Sequence, residues 1–290
     1  MKPGIYTMAA ELYHADPCPA PSLSASMAKI LLDQSPLHAW TAHPKLNPHF
    51  EREDDGKFDL GTAAHAYVLE GAERFEVVPF YDWRKKEAQA LRDEIRAAGK
   101  IPLLQEQVGR VLMMAKACQR QLDVFTPRPF SDGRAEETVI WQEPNGVWCR
   151  ARLDWIATDE SQIWDYKTTE GSAHPEAWAR GPLFGNGYDI QAAFYRRGVQ
   201  MVGGPDPEFT FVVQEAYDPH ALSVIGLEPG VRDLGTKKVL RAIELWGECL
   251  KSGHWPGYPT RVASAELPPW EETRWMQREY MEIAEKEARG

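Results

Sequence analysis

Asp154, Asp165 and Lys167 have the residue types and the spacing for metal-assisted hydrolysis. Asp165 and Lys167 stand two apart in an apolar stretch, so on a β-strand both side chains leave from one face. Asp154 closes the preceding apolar-alternating stretch, where a hairpin would bring its carboxylate to that pair. Two acids and a lysine on one sheet face are costly to bury unless something balances them. A divalent cation would do so. Carboxylates are hard oxygen ligands for Mg²⁺, and a lysine beside them can orient or help deprotonate a water. The competing reading is an exposed ion pair of little energetic value. The hairpin setting and the apolar flanks Trp155-Ile156 and Ile163-Trp164 favour a site.

Residues 148–169 must position this group. Val147, Cys149, Ala151 and Leu153 alternate with Trp148, Arg150, Arg152 and Asp154, the period of a strand. Thr158-Asp159-Glu160-Ser161 supplies a turn, and residues 162–167 return. Upstream, residues 135–143 form another strand, joined to the first by Pro144-Asn145-Gly146, a tight-turn signal. Periodicity puts Glu136, Thr138 and Ile140 on one face and Glu137, Val139 and Trp141 on the other. It does not say which glutamate meets the cluster.

Composition narrows the function classes. The 290 residues are long enough for a large core, and the formal net charge of −10 argues against a simple nucleic-acid coat protein. An enzyme that confines positive charge to one channel remains compatible with it. Cys18, Cys118, Cys149 and Cys249 are scattered, which speaks against a zinc ribbon, an iron–sulfur cluster or a disulfide framework and fits a reducing cytoplasm. No apolar run approaches the roughly 18 residues of a membrane span, and no signal-peptide pattern is visible. Membrane partners are not expected.

The remaining elements read as scaffold. Residues 1–21 look irregular. Ser24 suits the N-cap of a helix to about residue 32, and a short turn follows at 37–40. Residues 43–57 read as a polar loop whose charge run is solvated. Residues 58–71 have helical spacing with small residues for close packing, and His65 there reads by default as a hydrogen-bonded core residue. A strand at 73–79 and helices at 85–98 and 106–122 carry no visible chemistry. A helix begins near Pro175, and another spans about 189–201, where Gln191 and Tyr195 share a face. That pair is either half-buried scaffold or part of a site lining. Strands at 208–216 and 222–227 complete the sheet, and residues 231–251 form a long helix. The expected organisation is one domain over residues 1–270 and a charged helical tail over 271–290.

Taken together, these stretches resemble the PD-(D/E)xK nucleases, in particular the RecE (exonuclease VIII) group of phage-type recombination exonucleases. The resemblance rests on GIYTMAAELYHADP, LSASMAKILLDQSPLHAW, LGTAAHAYVLEG, AEETVIW, NGVWCRARLDWI, IWDYKTT, the Gln191-x3-Tyr195 helix and GHWPGY, in that order. It spans roughly residues 4–270. The implied fold is α/β, a central mixed sheet flanked by helices, with N-terminal helical decoration.

The resemblance also implies roles. His65 matches the histidine of a Gly-x-x-x-His helix and becomes a metal ligand, against the default reading. Asp154 and Asp165 match the metal carboxylates, Lys167 the catalytic lysine, and Glu136 the upstream acid, with Glu137 as the alternative. Gln191 and Tyr195 match a motif associated with the substrate strand. Arg150 and Arg152, beside the site, are candidate phosphate contacts. The implied cofactor is Mg²⁺, with Mn²⁺ as a substitute. The implied activity is 5′→3′ degradation of double-stranded DNA ends in a bacterial cytoplasm. The implied partners are a RecT-type single-strand annealing protein and further copies of the chain in a ring. Rival readings are an endonuclease, a single-strand nuclease, or a non-catalytic DNA-binding module of the same fold.

Overall fold

Alternating apolar residues between 133 and 169 build the middle of the molecule. A computed structural model describes residues 1–51, 60–71 and 74–289. The expected helix start at Phe58-Asp59, strand start at Glu73 and most of the 51–57 charge run lie outside the described residues. In chain order, β1 (Gly4–Thr7), α1 (Ala10–His14), α2 (Ala25–Asp33), α3 (Pro36–Thr41) and α4 (Leu60–Glu70) come first. Then follow β2 (Phe75–Val78), α5 (Lys86–Ala97), β3 (Ile101–Leu104) and α6 (Gln105–Leu122). The central strands are β4 (Gly133–Gln142), β5 (Trp148–Ala157) and β6 (Gln162–Thr169). The helices α7 (Pro175–Arg180), α8 (Pro182–Gly185) and α9 (Tyr188–Met201) lead to β7 (Glu208–Glu215), β8 (Leu222–Gly226) and α10 (Pro229–Ser252). Helix α11 (Pro269–Arg289) ends the described chain.

Six strands form one mixed sheet in the order β1-β4-β5-β6-β7-β8. Among its described strands, β6 and β7 pair in parallel and the other neighbours antiparallel. A parallel neighbour requires a crossover, and α7 to α9 supply it. Strands β2 and β3 form a separate parallel pair. The fold is therefore the expected α/β arrangement of a mixed central sheet with flanking helices.

The two sheet faces bury different partners, as the two-residue period of a strand demands. Val139, Trp141, Ala151, Ile163, Phe211 and Val213 join Phe194 and Val199 of α9 and Trp246 of α10 in the main core. Gly198 permits that packing, since a Cβ there would lie 2.7 Å from the Trp141 ring. On the opposite face Tyr166 and Val212 pack with Cys118 and Leu122 of α6. Helix α4 packs on α6 through Ala63, Ala64, Val111 and Met114, and it also contacts β6.

Three features depart from the sequence expectations. Residues 1–21 are not simply irregular: β1 pairs antiparallel with the edge of β4, and Thr7 donates to Glu137 at 2.7 Å. A four-residue strand whose partner lies over a hundred residues away carries too little local pattern to be seen. Strand β3, also four residues long, is likewise not signalled by local pattern. Finally, the strict alternation of β5 breaks between Leu153 and Ile156, both of which enter the main core.

The described chain divides into two compact units, Met1–Gly257 and Tyr258–Gly290, a division ahead of the expected 270/271 boundary. The second unit contains α11, with Trp275, Tyr280 and Ile283 exposed. No helix among the described residues is long and apolar enough to cross a membrane.

Candidate active site

Strands β5 and β6 separate where the candidate acids begin. Their register is Trp155↔Trp164 and Ile156↔Ile163, and no further pairs follow. One step along, the Asp154 carboxylate replaces a backbone acceptor: Tyr166 N–H donates to Oδ2 at 2.9 Å. Farther along β5, Leu23 takes the place of β6, donating to Trp148 O at 2.8 Å and accepting from Arg150 N at 2.9 Å. The parting of the strands opens a cleft of about 590 Å³.

Directly across from Asp154 on β4, Glu136 has φ 58°, a left-handed backbone that is uncommon for a residue with a long side chain. Such strain persists where the surroundings enforce it. Arg152 Nε donates to Glu136 Oε2 at 2.6 Å and Arg152 Nη1 to Met8 O at 2.8 Å, which fixes the carboxylate at the cleft. Glu137 instead faces Thr7 and Arg134. Of the two glutamates left open by periodicity, Glu136 is the one at the cluster.

His65 reaches the same point from α4. Its Nε2 lies 3.0 Å from Asp154 Oδ2 and its Nδ1 3.8 Å from Glu136 Oε1. The ring sits against Tyr166, with centroids 5.8 Å apart. Ligand atoms of His65, Glu136 and Asp154 all lie within 4.8 Å of one another. This grouping differs from the expected His65, Asp154 and Asp165. Asp165 is fully buried and engaged elsewhere: Gln191 Nε2 donates to its Oδ2 at 2.8 Å, and the Lys167 ammonium contacts Oδ1. Lys167 Nζ is also 3.8 Å from Asp154 Oδ2.

The charge balance of the cluster is visible in its ionisation. Burial and then the Asp154 charge push the Asp165 carboxyl up to about 7, against Lys167. Burial would also raise Asp154, but Lys167 and His65 outweigh it and bring that carboxyl down to about 2. Burial and Asp154 raise Glu136 above the usual carboxylate range. Burial opposes charge on His65 and on Lys167, yet neighbouring carboxylates raise both. Three acids thus crowd a site where two of them, Asp165 and Glu136, are shifted towards protonation. An added divalent cation would relieve that crowding, and the two carboxylates are hard oxygen donors suited to Mg²⁺ or Mn²⁺.

The other expected residues divide. Gln191 and Tyr195, both on α9, line the cleft, and so does Arg152. Arg150 does not take the expected position. It is 4% exposed, and its Nη1 donates to Ser22 O at 3.0 Å and lies 3.3 Å from Asp16 Oδ1. A guanidinium so committed is not available to a phosphate, which corrects the expectation drawn from its place beside Arg152.

Sequence reasoning missed part of the lining. Tyr13, His14, Lys29 and Tyr188 border the cleft. Tyr188 follows Gly187, whose φ of 71° starts α9 from a left-handed turn. Nothing local indicated what the tyrosine would face.

Comparison with known proteins agrees with this architecture. No curated protein sequence matches the chain. Among solved structures, a Eubacterium rectale protein described as a "putative exonuclease" superposes with a TM-score of 0.57 at 14% identity, covering 91% of this chain and 97% of that one. Identity at that level speaks for the fold alone. Residues 24–267 match the model of a PDDEXK-like domain of unknown function, DUF3799, a span that holds the parted strands, His65, the acids, Lys167 and α9. By that match the chain is a member of the DUF3799 family of PDDEXK-like domains.

Proposed function

We propose that the protein is a divalent-metal-dependent deoxyribonuclease of the RecE type, which degrades double-stranded DNA 5′→3′ and leaves a 3′ single-stranded overhang for recombination by strand annealing. The observation that carries the reading is the convergence of His65, Glu136 and Asp154 within 4.8 Å, with Lys167 at 3.8 Å from Asp154. The PDDEXK-like family and a structural neighbour described as an exonuclease support it.

His65, Glu136 and Asp154 would hold the cation. When bound, it supplies Lewis-acid polarisation of a phosphate oxygen and a water of lowered pKa. The Lys167 ammonium, kept charged by Asp165 and Asp154, offsets negative charge that builds on the phosphate and orients the attacking water. Asp165 holds Lys167, and Gln191 holds Asp165. Arg152 holds Glu136. Tyr195, nine-tenths buried beside Gln191, gives the substrate strand a rigid wall.

The wider assignment follows the same resemblance: Mg²⁺ as cofactor with Mn²⁺ as substitute, a RecT-type annealing partner, a homo-oligomeric ring around DNA, and a phage or prophage protein acting in the bacterial cytoplasm. A ring would concentrate basic residues inward and reconcile the net charge of −10 with a polyanionic substrate.

Linear duplex labelled at the 5′ or the 3′ end, and closed circular DNA, would be digested with and without Mg²⁺ by wild type and Lys167→Ala. Metal-dependent early release of 5′ nucleotides, intact circles and an inactive variant are expected. Nicked circles would favour an endonuclease. No digestion by a folded, metal-supplied wild type would favour a binding module.

A further inference from the structure

Tyr188 has no role in the proposed chemistry, yet it is placed against Lys167, the lysine beside the acids. Its ring centroid lies 5.5 Å from Lys167 Nζ, with the ammonium over the ring. The ring has aromatic neighbours of its own. It stacks on Trp178 at 5.5 Å with an interplanar angle of 10°, and it meets Phe211 at 5.7 Å. Trp178 and Phe211 are both fully buried. Tyr188 itself is half-buried and borders the cleft.

Lys167 is therefore held on three sides, by Asp165, Asp154 and the Tyr188 ring. A lysine has four rotatable bonds, and two carboxylates attract its charge without fixing where the chain carries it. An aromatic face attracts the cation and also blocks the space into which the side chain would swing. We infer that Tyr188 is a positioning residue for Lys167, its ring on the Trp178 platform keeping the ammonium at the acids. The alternative, a tyrosine that only fills core space, predicts that any apolar residue of similar size will serve.

Two readouts separate these. The first is independent of activity: competitive acetic anhydride labelling of lysines, followed by mass spectrometry, on wild type, Tyr188→Phe and Tyr188→Leu. Lys238 is the internal control, since it bonds Asp189, the next residue, at 2.6 Å. Lys167 is expected to label about tenfold faster in Tyr188→Leu, at the wild-type rate in Tyr188→Phe, and Lys238 is expected not to change. Equal Lys167 labelling in Tyr188→Leu and wild type would overturn the inference. So would a parallel rise at Lys238, which would show general loosening. Should the leucine variant fail to fold, Tyr188→Met takes its place.

The second readout rests on the nuclease reading above. In Tyr188→Leu, kcat should fall about tenfold with KM and the Mg²⁺-induced rise in Tm unchanged, and Tyr188→Phe should restore kcat. A rise in KM alone would make Tyr188 a substrate contact and refute the positioning role. An inactive wild type would refute the nuclease reading and leave the labelling result to decide this one.

Discussion

Alternate residues along β5 feed two charge clusters that end differently. Arg150 enters the first, with Asp16, Ser22 and His43. There Asp16 Oδ1 accepts from Cys18 N at 3.2 Å and Ser22 Oγ at 2.8 Å, and Oδ2 accepts from Ser22 N at 2.9 Å. Arg150 and His43 each lie 3.3 Å from the same carboxylate. One acid meets one guanidinium, and burial of Asp16 is overcome by His43, Arg150 and Ser22, which hold its carboxyl well below the usual range. Arg152 and Asp154 enter the second cluster, where three acids crowd Lys167, Arg152 and His65 beside a cleft. The first cluster is closed, and its single carboxylate is answered by Arg150, His43 and Ser22. The second is acid-rich and open. The difference separates a cluster that ties segments together from one arranged to receive a cation and a phosphate.

Replacing one partner in each cluster should show this contrast at its largest. Asp16→Asn leaves the buried Arg150 without its counter-charge, and a cost of about 3–5 kcal/mol is expected in denaturant unfolding. A change below about 1 kcal/mol would mean that the first cluster is not what pins residues 16–24 to β5. Lys167→Ala should act on chemistry, lowering kcat by roughly 10²–10³-fold with the fold retained. If activity survives that substitution, the second cluster is not the catalytic one.

Metal addition sharpens the comparison further. Saturating Mg²⁺, at about a hundred times its dissociation constant, should stabilise the wild type by about 2.7 kcal/mol. Asp16 and its partners should play no part in that gain, while Glu136→Ala should abolish it. Asp165→Asn decides the remaining question. Retention of the metal-induced shift would assign Asp165 to Lys167, and its loss would return Asp165 to the metal ligands, as the RecE pattern has it.

The pH dependence, at most about 1.4 kcal/mol per pH unit for one proton, has opposite signs in the two clusters. Asp165 is raised from 3.8 to about 7, so between about pH 4 and 7 the folded state keeps a proton that the unfolded chain has lost. Its contribution therefore declines as pH rises through that window. Asp16 is depressed, so its contribution is complete above the unfolded value of 3.8 and is lost as pH falls towards the folded one. Unfolding free energies measured across pH 3–8 should show the Asp165 slope flattened both by Asp165→Asn and by Mg²⁺. An unchanged slope in that variant would place its origin elsewhere.

Local pattern was enough for much of the fold. The alternation of 147–154 with its return over 162–167, the Asn145-Gly146 turn, the Ser24 cap and the helix expected at 106–122 correspond to β5, β6, α2 and α6 with boundaries near those observed. Residues 1–21 and 101–104 were less legible, because a four-residue strand is stabilised by a distant partner and not by its own periodicity. Within the site, the two-residue spacing of Asp165 and Lys167 already fixed their common face.

The sequence by itself determined which residue types were present in order, and which side chains share a face wherever the backbone is regular. Only the tertiary structure decided what those faces meet. Alternation set Glu136 and Glu137 on opposite faces, but only the packed sheet brought Glu136 to His65 and Asp154 and Glu137 to Thr7. Arg150 was drawn to Ser22, 128 positions away, while Arg152, two residues on, turned to Glu136. Tyr188 was brought over Lys167 by the crossover between two parallel strands. The physical reason is common to all three. Charge pairing and ring stacking act through space at a few ångströms, and distances that short between remote segments exist only once the sheet and its helices have packed.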